Sequence, residues 1–176
     1  MPSTEMEPNT DEHPTSAPTR KELLLARLAF VRRDLDEVLR RLNDDQLDYA
    51  PVLGVRSTYD QFLEIGMNEV MALALLREGK TLTHAEAEAQ LSHELTVASY
   101  QKMLADVRAE TKAYIETLSE EDLAETVEAS NPWYASFGME AVPRYDALTS
   151  IALHESYHVA QLITYAWTRG DDPYQW

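Results

Sequence analysis

The sequence predicts an all-α fold, an up-and-down four-helix bundle, on three observations. Four long segments place apolar residues at three-and-four spacing, the pattern of a buried helical face. Strand-like alternation is scarce. Breaker and capping residues (Asn43-Asp44-Asp45, Pro51, Gly54, Gly79, Gly170) fall between or after those segments. Long amphipathic helices with few strands bury their apolar stripes best against one another.

The 176 residues suit one domain plus a tail. Residues 1–19 hold Pro2, Pro8, Pro14 and Pro18 with several acids and neither Lys nor Arg. Such a segment buries too little apolar surface to offset its ordering entropy. A disordered tail is expected over 1–19, with His13 solvated in it, and a bundle domain over 20–176.

The first helix is expected from Arg20 to Leu42, with Leu23, Leu24, Leu28, Val31, Leu35, Val38, Leu39 and Leu42 on its apolar side. Arg20, Lys21, Arg27, Arg32, Arg33, Arg40 and Arg41 interleave there with acids, which predicts a solvated, ion-paired face. Ser57 or Thr58 caps a second helix from about Tyr59 to Glu78, stopped near Gly79. That helix is apolar around most of its circumference, so heavy burial is expected. Gly66 in its middle costs about 1 kcal/mol relative to alanine and suits close packing. Glu64 and Glu69 interrupt it on different stripes, and spacing leaves open which acid points inward.

A polar stretch follows, in which His84 and His93 are read as surface residues. The third helix is expected from about Glu94 to Leu118, with Leu95, Val97, Ala98, Tyr100, Leu104, Val107, Thr111, Tyr114 and Leu118 inward or near it. Ser119 before Glu120, Glu121 and Asp122 reads as a capped extra turn. Trp133, Tyr134 and Phe137 lie among Pro132, Gly138 and Pro143, where the chain either caps the core, walls a pocket or forms a short extended pair. The fourth helix runs from Tyr145 to Gly170.

Composition narrows the function. A net charge of −16 argues against nucleic acid, whose binding rests on clustered Lys and Arg. The absence of cysteine excludes disulfides, thiolate metal ligands and a thiol nucleophile of the chain's own. With no signal pattern and no apolar run near the ~20 residues a membrane span needs, a soluble, cytoplasmic protein without a membrane partner is expected.

The chemistry gathers on the fourth helix. His154 and His158 stand one turn apart on its apolar stripe, and Gln161 and Tyr165 extend that side. Two buried imidazoles need partners, and an i, i+4 pair suits two ligands of one ion. His154-Glu155-Ser156-Tyr157-His158 also matches the H-E-x-x-H pattern of zinc proteases. Those enzymes use a third ligand, often downstream, and no His or Glu follows His158. The protease reading therefore falls away. Two core histidines bonded to their neighbours are the remaining non-metal reading.

The run LTSIALHESYHVAQLITYAWTRGDDP resembles the last helix of the DinB/YfiT-like superfamily: a His, three residues, a second His, a Gln shortly beyond, and a stop at Gly. The likeness extends through LNDDQLDYAP, the Ser-Thr opening of the second helix and the SEEDL turn, over about residues 20–176. It implies an up-and-down bundle with a divalent metal held by three histidines, two at His154 and His158. The family's remaining histidine stands five residues before a Glu, which here is the position of Glu64, counted back from Glu69. Two imidazoles and a carboxylate remain a competent set for zinc, nickel, iron or manganese. The anionic ligand lowers the charge of the centre by one and makes bound water less acidic.

The resemblance further implies an enzyme acting on a small-molecule substrate. Two versions follow: a transferase or isomerase using a low-molecular-weight thiol activated at the ion, or a metal hydrolase. Glu64, His154 and His158 are then the ligands, with zinc or nickel first among the metals. Glu155 and Gln161 are candidates to orient an imidazole, and Tyr157 and Tyr165 candidate pocket donors. The competing class is a non-catalytic, stress-related binding or dimerising bundle with an empty or structural site; the apolar second helix suits either a deep core or a subunit interface, and a homodimer is open in either case.

Overall fold

The computed structural model describes residues 17–91, 94–128, 134 and 136–176. The expected tail up to residue 16, with His13, lies outside the described residues, as do His93 and Trp133. Four long helices form the body: α1 (Arg20–Arg41), α2 (Thr58–Glu78), α4 (Val97–Thr117) and α6 (Arg144–Thr168). Two five-residue helices, α3 (His84–Glu88) and α5 (Glu120–Ala124), lie in the connections. β1 (Thr126–Glu128) pairs antiparallel with β2 (Ala141–Pro143), Val127 opposite Val142. The helical bundle expected from the apolar periodicity is therefore present. Among the described residues no helix is long and apolar enough to cross a membrane.

Short polar side chains set the helix starts. Thr19, Ser57, Thr83 and Ser119 each accept from the third backbone N–H of their helix, while the acid there bonds back to the cap. Each such cap satisfies donors that the first turn leaves orphaned. Thr19 thus belongs to α1, one residue inside the stretch expected to be tail. Thr83 and Glu86 do the same for α3, a short helix within a segment read only as polar. Gly79 ends α2 in the left-handed conformation, φ 64°, that glycine adopts without a Cβ penalty.

Helix directions follow from side-chain pairs. Arg27 meets Tyr145 and Arg32 meets Glu155, so α1 and α6 run parallel. Phe62 against Tyr100, Glu69 against Arg108 and Leu76 against Tyr114 make α2 and α4 parallel. Lys21 reaches Glu116 and Arg32 reaches Leu104, so α1 and α4 are antiparallel. Up-and-down alternation holds from α1 to α2 and from α4 to α6. Between α2 and α4 the direction repeats, because the connection 79–96, with α3 inside it, is long enough to return along a helix of roughly 31 Å. Helices α6 and α4 each sit between α1 and α2, on opposite sides. Gly66 permits the tight α2–α4 packing: a Cβ there would meet Leu91 Cδ1 at 3.1 Å and Met103 Cε at 3.3 Å.

The core has two main apolar halves, with a small third cluster at Tyr134, Val142 and Ala147. Leu35, Leu39, Phe62, Tyr100, Leu104 and Leu162 lead one; Leu24, Leu28, Ile115, Leu148 and Ile151 lead the other. Between them lies a layer of charge with one residue from each long helix: Arg32, Glu69, Arg108 and Glu155. Arg108 Nε donates to Glu69 Oε1 at 2.7 Å and its Nη2 to Glu155, while its Nη1 donates to the Leu28 carbonyl. Arg32 Nε donates to Glu155 Oε1 at 2.8 Å, and its Nη1 to the Leu104 carbonyl. Burial opposes the charge of Arg108, but Glu69 and then Glu155 more than offset it and raise its pKa.

Two sequence readings are corrected here, and one buried residue is new. Arg32 is not part of the solvated face; its side chain is 11% exposed, whereas Arg33, Arg40 and Arg41 do pair with acids at the surface. Arg108, not singled out by pattern, is buried. Leu23, Leu95 and Ala98 point outward, Leu95 because the helix starts only at Val97.

Removing one member of the layer leaves an uncompensated buried charge, which costs about 3–5 kcal/mol. Arg108→Ala is expected to lower the urea-unfolding free energy by that amount. Lys102→Ala, which breaks an exposed pair with Asp106, is expected to change it by less than about 0.5 kcal/mol.

Candidate metal centre

Helix α6 presents two faces with different tasks. A residue turns about 100° from the last, so His154, His158, Gln161 and Tyr165 fall on one stripe and Glu155 on another. Across from the histidine stripe, α2 supplies Gln61 and Glu64. Five residues separate Glu64 from Glu69, about 140° around the helix, so the two acids cannot serve one site. Glu64 faces the histidines and Glu69 faces Arg108.

One ligand atom each from Glu64, His154 and His158 lies within 4.8 Å of the others. The two imidazoles meet through Nε2 at 3.2 Å. Two nitrogens bound to one tetrahedral zinc at 2.0–2.1 Å stand about 3.3 Å apart, so the imidazole pair already has ligand spacing. His158 is buried, and His154 and Glu64 are half-buried.

A hydrogen-bond chain decides the tautomer of His158. Gln61 Nε2 donates to Gln161 Oε1 at 2.9 Å and to the Tyr165 hydroxyl at 3.1 Å. Tyr165 in turn donates to the Arg56 carbonyl at 2.8 Å. With both its N–H groups used, the Gln61 amide turns Oε1 to His158 Nδ1, which must then donate. The proton sits on Nδ1, and Nε2 keeps a lone pair aimed at His154. Fixing the far nitrogen in this way is how metal-binding histidines are oriented.

Electrostatics favour neutral imidazoles. Burial, then His154 and Arg56, push His158 down to about 3. Burial also lowers His154, against the pull of Glu64. Neutral imidazole is the ligating form. The donor set, the spacing and the protonation states all fit a single divalent cation.

Beside the triad opens a cleft of about 440 Å³, bounded by Glu64, His154, Met71, Leu75, Leu82 and Ser150. His84 stands at this cleft, exposed as expected of a surface residue. Of the candidates for supporting roles, Gln161 and Tyr165 do reach the histidines, through Gln61. Tyr157 packs edge-on against the His158 ring and is 65% exposed. Glu155 is placed elsewhere: its carboxylate is taken up by Arg32 and Arg108, so it does not orient an imidazole by hydrogen bonding. Gln61 and Arg56 were not read from the sequence. A Gln one turn before Glu64 on an otherwise apolar helix is the signal that points to the first.

Comparison with known proteins agrees with this architecture. The family profile described as the DinB superfamily matches residues 27–162, a span that contains all three triad residues. The crystal structure of a conserved protein from Enterococcus faecalis aligns with a TM-score of 0.62 at 17% identity, covering 88% of this chain and 99% of that one. At that identity the likeness speaks to the fold alone. No curated protein matches the chain.

The depressed histidines give stability a pH dependence. The unfolded chain takes up protons near the ordinary value of about 6.5, while folded His158 resists them down to about 3. Stability without metal is therefore full above about pH 6.5 and falls as the pH drops, by up to ~1.4 kcal/mol per pH unit for each proton. Urea unfolding at pH 7, 6 and 5 is expected to show this loss, with a shallower slope for His158→Asn.

Proposed function

Because the chain belongs to the DinB superfamily, we propose that it is a metal-dependent enzyme in which Glu64, His154 and His158 hold one divalent cation. The observation that carries this reading is the pre-set triad: two imidazole nitrogens at ligand spacing, a carboxylate beside them, and Gln61 holding the His158 proton away from the site. We favour zinc or nickel as the cation, and iron or manganese also fits two imidazoles and a carboxylate.

When bound, the cation supplies Lewis acidity at a position that three protein ligands leave open. The chain does the rest. Gln61, through Gln161 and Tyr165, keeps the His158 ring from rotating. Met71, Leu75 and Leu82 give the cleft an apolar wall that receives the apolar part of a small substrate. The reaction class we favour is transfer to or from a low-molecular-weight thiol drawn from solution, in keeping with a chain that has no cysteine. Hydrolysis is the second version, since the same open position takes water.

One observation favours a non-catalytic reading instead. Glu64 already pairs with Arg56, and the histidines touch each other, so the polar groups find partners without an ion.

Metal analysis of purified, reconstituted protein separates these readings. About one equivalent of metal per chain, lost in His158→Ala, is expected. Glu64→Gln is expected to weaken retention at least tenfold more than Glu69→Gln among folded molecules. An absence of stoichiometric metal after reconstitution removes the enzyme reading, and the reverse order of the two glutamate variants removes Glu64 as a ligand.

A further inference from the structure

Beyond Gly170 the chain turns back towards α6 and α1 and brings three aromatic rings to one place. Gly170 is left-handed, φ 82°, and Asp172 caps a single tight turn, Pro173–Gln175, by accepting from the Tyr174 N–H at 2.9 Å. Trp176 is anchored twice. Its Nε1 donates to Asp171 Oδ1 at 3.1 Å, and its ring packs against the half of the core led by Leu35 and Phe62. Tyr174 stands edge-on to Trp167 of α6, with ring centres 5.5 Å apart.

A cleft of about 340 Å³ opens there, bounded by Trp167, Tyr174 and Trp176, by Ile163 one turn before Trp167, and by Asp34 and Glu37 of α1. It lies on the α1 side of α6, whereas the triad lies on the α2 side. Trp167 is 45% and Tyr174 88% exposed, so ring surface is open to solvent. Single exposed apolar residues are ordinary, but rings and carboxylates gathered about one cavity point to a ligand.

The ring faces are negative, so they and the two acids disfavour an anion and attract a cation. The chain already supplies one: Arg41, its Nε bonded to Glu37 Oε1 at 2.8 Å, lies over the Trp176 ring at 5.2 Å from its centre. Arg41 does not itself bound the cleft. Glu37 is held between Arg40 and Arg41, while Arg33 engages Asp34 through Oδ1, so Asp34 keeps an oxygen to spare.

We propose that this cleft is a second binding site, and that its ligand is a free, small quaternary ammonium cation. A trimethylammonium group asks for no hydrogen bonds and matches ring faces, whereas a primary ammonium carries three donors that rings leave unmet. Asp34 and Glu37 select a free cation over a zwitterionic headgroup, whose phosphate they repel. The site uses neither the triad nor a metal ion, so it stands apart from the metal-centre reading.

NMR titrations followed by the indole N–H resonances test this with choline, with its neutral isostere (the alcohol in which carbon replaces nitrogen) and with phosphocholine. Choline is expected to shift the Trp167 and Trp176 signals and to bind about fivefold or more tightly than the isostere, since each partly exposed ring favours a cation by about two- to fivefold. Trp167→Leu keeps apolar area but removes a ring face, and is expected to weaken choline about threefold with little effect on the isostere. Tyr174→Leu repeats the test at a side chain whose exposure leaves folding untouched. Asp34→Asn is expected to weaken choline about twofold, and phosphocholine to bind more weakly than choline. Equal binding of choline and the isostere, no choline-dependent shift at either tryptophan, or an unchanged preference in both leucine variants overturns the proposal. Phosphocholine binding more tightly than choline overturns the free cation as the ligand.

Discussion

The structure depends on a layer of four buried charges at mid-height of the bundle. Arg32, Glu69, Arg108 and Glu155 come from α1, α2, α4 and α6, so no helix can slide or rotate without separating ions in a low-dielectric interior. Apolar contacts above and below are non-directional, whereas each guanidinium of the layer must stand opposite its carboxylates. The layer thereby sets the rotation of α6, and the direction in which His154 and His158 point follows from that rotation.

The same helix thus does structural work on one side and chemical work on the other. Glu155 and His154 are adjacent in sequence, yet the turn of about 100° between them sends one to the arginines and the other to the cleft. Helix α2 repeats the division with Glu69 and Glu64. Two acids that look alike in the sequence serve the core and the candidate site separately, and each is matched to its cation: buried guanidinium for Glu69, Arg56 with room for a metal ion for Glu64.

The polar chain from His158 through Gln61 to Gln161, Tyr165 and the Arg56 carbonyl links the site to the segment before α2. Each donor and acceptor of the Gln61 amide has a partner, so the orientation of a single amide settles which imidazole nitrogen is free. Gln161, which accepts from Gln61, keeps its own Nε2 buried without a partner, so the chain is complete at Gln61 and not at its Gln161 end.

Much of this was legible in the sequence. Apolar periodicity marked the four long helices to within a few residues, because burial of a stripe demands that spacing whatever the partner. Ser57, Ser119, Gly79 and Gly170 marked helix ends through local backbone chemistry. The i, i+4 pair His154 and His158 and the interrupting Glu64 were visible because a helix makes spacing into proximity. Tertiary structure decided what periodicity leaves equal: that Glu64 rather than Glu69 meets the histidines, that Arg32 and Arg108 are buried, that Glu155 leaves the site, and that Gln61 and Arg56 enter it. Those outcomes depend on the rotation of each helix about its axis and on which helices become neighbours, and both are fixed by contacts between residues some forty to one hundred and twenty positions apart.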